Sequence, residues 1–295
     1  MIIVTGTKRS GTSMWLQILK AAGFPLLGDA FPHDWGETIR AANEGGFYES
    51  PLRNGIYYAT NPHPLSGAFL PPQQTRSVAV KVFALGLVRT DLAYLDNVVA
   101  SMRHWREYAP SVERLWNMET ESKRARAEQN GQPAAAVLDF KKMSPVLEWW
   151  RDNYALIRDA LVRRYPLHMV SYDSVLREPD AAITETLHWL GGGDATLASA
   201  AVRSELRTQK ASERPAPSSV DESGLSVEQQ TVFDELYARI DLRQPLDAAF
   251  IDRLNETQNQ LAPQIAAEEE RARSDREQAV LRANTARASA AEPSR

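Results

Sequence analysis

The chain alternates short β-branched apolar runs with longer stretches whose apolar residues recur at helical spacing. Ile2-Ile3-Val4 places a strand at 2–5, and the periodicity from Met14 predicts a helix through about Ala22, stopped by Gly23 and Pro25. Residues 28–50 read as a loop carrying a short helix, Glu37 to Ala42, and closing on Asn43-Glu44-Gly45-Gly46-Phe47-Tyr48-Glu49. A helix is predicted over 51–60, followed by a loop marked by Pro62, Pro64, Pro71 and Pro72. Ser77 to Leu85 (SVAVKVFAL) is almost continuously apolar, as expected of a strand buried on both faces. Asn97 to Met102 is the next strand, and a helix is predicted from about Ser111.

Residues 120–136 are charged and read as an exposed helical insertion or lid. Ser144 to Arg164 is helical through Leu147, Trp150, Tyr154, Ile157 and Leu161. Leu167 to Tyr172 reads as a strand, and Glu178 to Leu190 as a helix ended by Gly191-Gly192-Gly193. Strands alternating with helices predict an α/β fold built on a parallel sheet. There is no internal repeat.

Beyond about residue 200 the pattern changes. Ser204 to Ser219 is basic, then rich in Pro and Ser, and reads as a loop; Val227 to Ile240 is amphipathic. Residues 246–286 predict a long polar helix, broken or kinked at Pro263 and poor in large apolar residues from Ala267, a solvated or disordered end outside the core. The expected organisation is a domain over 1–245, a helical extension over 246–286 and a disordered tail over 287–295.

Composition narrows the chemistry. Of 295 residues 43% are hydrophobic, enough for a large core, and the net charge of −4 argues against a general nucleic-acid binder, so any anion site must be local. The absence of cysteine excludes disulfides, thiolate metal ligands and a cysteine nucleophile. No apolar run approaches the ~20 residues of a membrane span, and the first residues enter a strand at once, which leaves no room for a signal peptide. A soluble cytoplasmic protein is expected, with no membrane and no nucleic-acid partner.

Residues 6–13, GTKRSGTS, join the first strand to the first helix. Their spacing is that of the phosphate-binding G-x-x-x-x-G-K-[ST] loop, with Gly6, Gly11 and Ser13 in place but Thr12 where the lysine belongs. A nucleotide triphosphatase uses that lysine on the β- and γ-phosphates. Without it the loop still offers backbone amides, hydroxyls on Thr7, Ser10, Thr12 and Ser13, a helix N-terminus, and the cations Lys8 and Arg9, a set suited to a shorter 5′-phosphate. The alternative is a strand-turn-helix with no ligand. A second anion site is suggested by Arg103, at the carboxyl edge of the 97–102 strand, and Ser111, eight positions on near the expected helix start. An arginine at a strand end also serves often as a structural ion-pair former.

Together these features resemble the sulfotransferases that use 3′-phosphoadenosine 5′-phosphosulfate (PAPS). KRSGTS at 8–13 is similar to their 5′-phosphosulfate loop, and Arg103 with Ser111 to their 3′-phosphate pair. NEGGFYE at 43–49 is similar to an N-P-x-G-aromatic-aromatic-E segment of bacterial members; VSYDSVLREP at 170–179 with Leu187-His188-Trp189-Leu190-Gly191 is similar to a further conserved region. The resemblance covers roughly residues 1–215. It implies a three-layer P-loop-type parallel sheet flanked by helices, with the C-terminal helix as an extension, and transfer of a sulfonate from PAPS to a hydroxyl or amine, leaving adenosine 3′,5′-bisphosphate without a required metal. Sulfuryl transfer rests on positioning and on stabilising charge that grows on the bridging oxygen. Two anion sites on one sheet edge suit a donor with two anionic ends.

By the same resemblance Arg9 is the catalytic cation and Lys81 a second candidate, with an ordinary ion pair as the alternative for Lys81. The family's catalytic histidine, two residues after that lysine, is replaced by Phe83. Glu49, His33 and Asp34 are the candidate bases, while His104 is expected on the opposite face of its strand and His63, His168 and His188 to be structural. A third contact to the 3′-phosphate is expected from Arg207, Lys210 or Arg214. Trp15, Trp35 and Tyr48 are candidates for stacking on adenine or acceptor, or for the core. The expected partner is a small-molecule or glycan acceptor, and the C-terminal helix leaves a homo-oligomer open. Two other readings compete: a P-loop nucleotide or small-molecule kinase, disfavoured by Thr12 and by the lack of an Asp ending the neighbouring apolar strands, and a non-catalytic nucleotide-binding scaffold, favoured by the lost histidine.

Overall fold

A computed structural model describes residues 1–31, 40, 43–133, 137–207 and 224–291. Five strands form an all-parallel sheet: β1 (Ile2–Thr5), β2 (Leu26–Leu27), β3 (Ala79–Lys81), β4 (Asn97–Met102) and β5 (Leu167–Ser171), in the order β2-β3-β1-β4-β5. In register, Val4 faces Lys81, Thr5 faces Ala100 and Met102 faces Ser171, so β1, β3 and β4 end side by side. From β1 the chain runs to β2 and β3 on one side and then crosses to β4 and β5 on the other, and ligands of open parallel sheets bind outside the carboxyl ends at such a reversal.

Alternation along β1 sends Ile2 and Val4 to one face and Ile3 to the other. The first face is covered by α1 (Thr12–Ala21), α6 (Pro179–Leu190) and α7 (Ala195–Ala200), through Trp15, Leu16, Ile183, Leu187 and Ala198. The second is covered by α2 (Ala84–Arg89) and α4 (Pro145–Arg163), through Leu87 and Leu156. Helices therefore flank both faces of the sheet, as the strand-helix alternation predicts.

A third apolar cluster has no strand at its centre. It joins α3 (Trp105–Gln129), α4, α8 (Val227–Asp241) and α9 (Ala248–Ala291) through Trp105, Trp149, Trp150, Phe233, Phe250, Leu254, Leu261 and Ile265. Trp150 stacks on Phe233 with centroids 4.5 Å apart, an arrangement worth about 0.5–1.5 kcal/mol beyond area burial. The C-terminal helix thus completes a core instead of standing apart, and it packs on its own chain. It continues through Pro263, and its polar half buries Ala279 and Ala283. Small residues at helical spacing let another surface approach closely, a signal that a search for large apolar residues passes over. Residues 287–291 extend this helix, and 292–295 lie outside the described residues.

Other boundaries also differ from the sequence reading. The 77–85 run holds two elements: β3 ends at Lys81, and Ala84 begins α2, because a continuous apolar run suits a buried helix as well as a buried strand. Residues 51–60 make only a 3₁₀ turn, Pro51–Asn54, ended by Gly55 at φ 114°. The two-residue β2 lies between Pro25 and the 28–50 loop, where the sequence reading assigns no element. The helix expected from Ser111 begins at Trp105, capped by the His104 side chain, which accepts from the Arg106 amide; Pro110 lies inside it. Residues 120–129 are the end of this helix, not a separate insertion. Tyr172 opens a short helix, α5 (Tyr172–Arg177). The helix expected at 37–42 and residues 208–223 of the Pro/Ser-rich stretch fall almost wholly outside the described residues. Among the described residues, no helix is long and apolar enough to cross a membrane.

Candidate functional site

The carboxyl ends of β1, β3 and β4 open into a cleft of about 830 Å³. Among the described residues, its wall carries nine lysines and arginines against four glutamates. In a chain of net charge −4, this is the local positive field that an anion site requires.

The loop between β1 and α1 forms the floor. Gly6, at φ 144°, leaves no room for a side chain: a Cβ there would lie 2.3 Å from the Ser101 carbonyl oxygen. Gly11, at φ 100°, caps α1 without any side-chain bond to the first-turn amides, and a Cβ there would meet the Tyr172 ring at 2.8 Å. The first amides of a helix have no intrahelical acceptor, so the loop brings them to the cleft. Ser10 turns inward. Its hydroxyl donates to the Thr7 carbonyl at 2.7 Å, and its carbonyl accepts from Ser101 Oγ at 2.6 Å, which ties the loop to β4. Thr7 is buried. Neither Thr7 nor Ser10 lines the cleft, whereas Lys8, Arg9, Gly11, Thr12 and Ser13 do.

Two cationic centres stand on this floor. In the first, Arg103 Nη1 donates to Ser111 Oγ at 3.2 Å and Arg9 Nε donates to the same oxygen at 3.3 Å. The sequence pair Arg103–Ser111 therefore meets in space, although Ser111 lies in the second turn of α3 and contributes no helix-start amides. Burial and the neighbouring Arg103 charge push the Arg9 guanidinium below its ordinary pKa, which is the mark of two like charges held together. Arg103 also lies 4.8 Å from the Tyr172 ring centroid and pairs with Glu107 at 3.3 Å. Trp149 Nε1 donates to the Arg103 carbonyl at 2.7 Å, anchoring the strand end to the aromatic cluster.

In the second centre Lys81, 2% exposed, pairs with Glu49 Oε1 at 2.6 Å and donates to Ser13 Oγ at 3.2 Å and to the Phe47 carbonyl. Burial lowers its pKa, partly opposed by the Glu49 charge. Glu49 also meets Arg53 at 3.3 Å. The 43–49 segment is drawn over α1 by these contacts: Ser13 Oγ donates to the Phe47 carbonyl at 3.2 Å and Gln17 Nε2 to the Gly46 carbonyl at 3.2 Å. Phe83 lines the cleft, its ring centroid 6.0 Å from Lys81 Nζ.

The remaining candidates separate. Arg207 does not line the cleft; its guanidinium pairs with Glu107 and Asp173, both at 2.7 Å, behind Arg103. His33, Asp34, Trp35, Lys210 and Arg214 lie outside the described residues. Trp15 and Tyr48 belong to the sheet core. His104 faces α8, 3.3 Å from Asp234. Arg53, Glu107 and Tyr172 were missed. Arg53 stands four positions after Glu49, and Tyr172 directly follows β5, the same strand-end rule that selects Arg103. Among the described residues, no cluster of three or more His, Asp or Glu could hold a metal.

Fold and site define an α/β protein with two adjacent cationic centres at the carboxyl edge of a parallel sheet. In comparison with known proteins, no family model matches the chain and no curated protein matches it significantly.

Proposed function

We propose that the chain is a sulfotransferase moving a sulfonate from PAPS to a hydroxyl or amine acceptor, on a P-loop-type fold. The observation that carries this reading is the pairing of two cationic centres, Arg9–Arg103–Ser111 and Lys81–Ser13, each joined to one Walker-lysine-less loop, through Arg9 and Ser13. β3 ends at Lys81 and β4 at Met102, directly followed by Arg103, where a magnesium-dependent kinase would need a carboxylate.

PAPS supplies an activated sulfuryl group on a phosphosulfate anhydride, and its two anionic ends match two cationic centres. Arg103, Ser111 and Arg9 would hold the 3′-phosphate. Mutual repulsion of the two guanidiniums favours an anion between them. Ser13, the first amides of α1 and Lys81 would hold the 5′ end. Lys81 then stabilises charge growing on the leaving oxygen, a role that its burial strengthens. Arg9 was expected in that role, but its contact with Ser111 moves it toward binding. Glu49, beside Lys81 with Phe83 in the histidine's place, is the group to accept the acceptor proton. The direct test is turnover: release of adenosine 3′,5′-bisphosphate from PAPS in the presence of a hydroxyl acceptor, lowered by ~10² or more in Lys81→Met. Turnover unchanged in Lys81→Met would remove it from the reaction.

A further inference from the structure

The cleft extends beyond the two centres along α3. The side of this helix turned to the cleft runs from Ser111 through Leu115 and Met118 to Lys123 and Arg126, with Arg114 beside them. On a helix rising 1.5 Å per residue, Lys123 and Arg126 stand about 18 and 22 Å from Ser111. Four charged residues of α3 line the cleft, three of them cations, whereas those off the cleft are mixed in sign and include Arg106 and Arg124. Arg114, Lys123 and Arg126 line the cleft with Glu119 as their one carboxylate, while Glu113, Glu121 and Glu128 do not line it. Glu119 is itself drawn to Lys142 at 3.5 Å. Among the described residues, neither Arg114 nor Lys123 has a carboxylate within ion-pairing distance. Along α3 between Ser111 and Lys123 the wall carries the apolar side chains of Leu115 and Met118, and Met14, Phe47 and Phe83 also line the cleft.

We propose that the acceptor is an elongated anionic amphiphile: a hydroxyl at one end beside Lys81 and Glu49, an apolar body along Leu115 and Met118, and an anionic group at the far end on Lys123 and Arg126. The proposal rests on the sulfotransferase reading and names the substrate class of that site. The apolar middle favours a hydroxy acid over a sulfated glycan, whose hydroxyls and charges alternate along its length.

The test is calorimetry on the full chain saturated with adenosine 3′,5′-bisphosphate, with 12-hydroxydodecanoate, its neutral analogue 1,12-dodecanediol and a heparin-derived tetrasaccharide as probes. The expected result is at least about tenfold tighter binding of the hydroxy acid than of the diol, the sum of two modest charge contacts. The double variant Lys123→Ala/Arg126→Ala should erase that preference while leaving bisphosphate affinity unchanged. Equal affinity for acid and diol, no binding of either, or preference for the tetrasaccharide would overturn the proposal. Failure of the wild-type chain to bind the bisphosphate would overturn the donor reading itself, and is seen before any probe is added.

Discussion

Lys81 shows how burial converts an ordinary side chain into a functional one. Its charge is held out of water by one carboxylate, one hydroxyl and one carbonyl, and it pays for that position with a lowered pKa. Lys81→Met should reduce kcat by ~10²–10³, the usual loss of one preorganised charge-stabilising donor, with little change in KM. Because burial brings its deprotonation below the ordinary 10.5, kcat/KM, which reports the free enzyme, should fall on the alkaline side before that pH, and a pH–rate profile reads this directly. Arg103→Ala should weaken binding of adenosine 3′,5′-bisphosphate by about 1.5–3 kcal/mol, the range for charge-assisted hydrogen bonds; calorimetry of the variant measures it. The pairing of Arg103 with Ser111 was legible because both lie beside a strand end. The commitment of Arg207 to Glu107 and Asp173 was not, since its partners lie 100 and 34 positions away in sequence and only the fold brings them together.

At the scale of elements, the β1–α1 loop is held from beneath by β4. Ser101 Oγ bonds the Ser10 carbonyl and the Ser101 carbonyl closes on Gly6. Gly6→Ala meets both a φ of 144° and that carbonyl at 2.3 Å, so it should destabilise the chain by about 1–3 kcal/mol, seen as a lower urea midpoint at constant m. Strands β1, β4 and β5, with α1, α4, α6 and α8, were legible because periodicity and stop signals agree there. The start of α3 was not. Pro110 resembles a helix-opening proline, yet the helix is already formed when it arrives, capped at His104. The split of the 77–85 run was likewise invisible, because burial on all sides erases the polar residues that reveal period.

Over the whole molecule, α9 is part of the core. Removing residues 248–295 would strip Phe250, Leu254, Leu261 and Ile265 from Trp150 and Phe233; the truncated chain should lose its cooperative thermal transition, as followed by near-ultraviolet dichroism. In α4, which packs in the same cluster, Asp152 sets a pH dependence. Burial, reinforced by Glu148, pushes the Asp152 carboxyl from 3.8 up to about 6, although Arg151 opposes it. The native state then binds a proton that the unfolded chain releases, so this contribution to stability is full below pH 4 and is lost as pH rises through 6. At 1.36 kcal/mol per unit, the wild type should lose about 3 kcal/mol relative to Asp152→Asn between pH 4 and 7, measurable by urea unfolding of both proteins.

The central claim is that the two cationic centres bind a nucleotide with two separate anionic ends. Calorimetric titration with adenosine 3′,5′-bisphosphate, in parallel with ATP and with and without Mg²⁺, tests it most directly. The account predicts metal-independent binding of the bisphosphate, weakened in Arg103→Ala, and little binding of ATP. A preference for ATP that depends on Mg²⁺ would contradict it and point to a kinase.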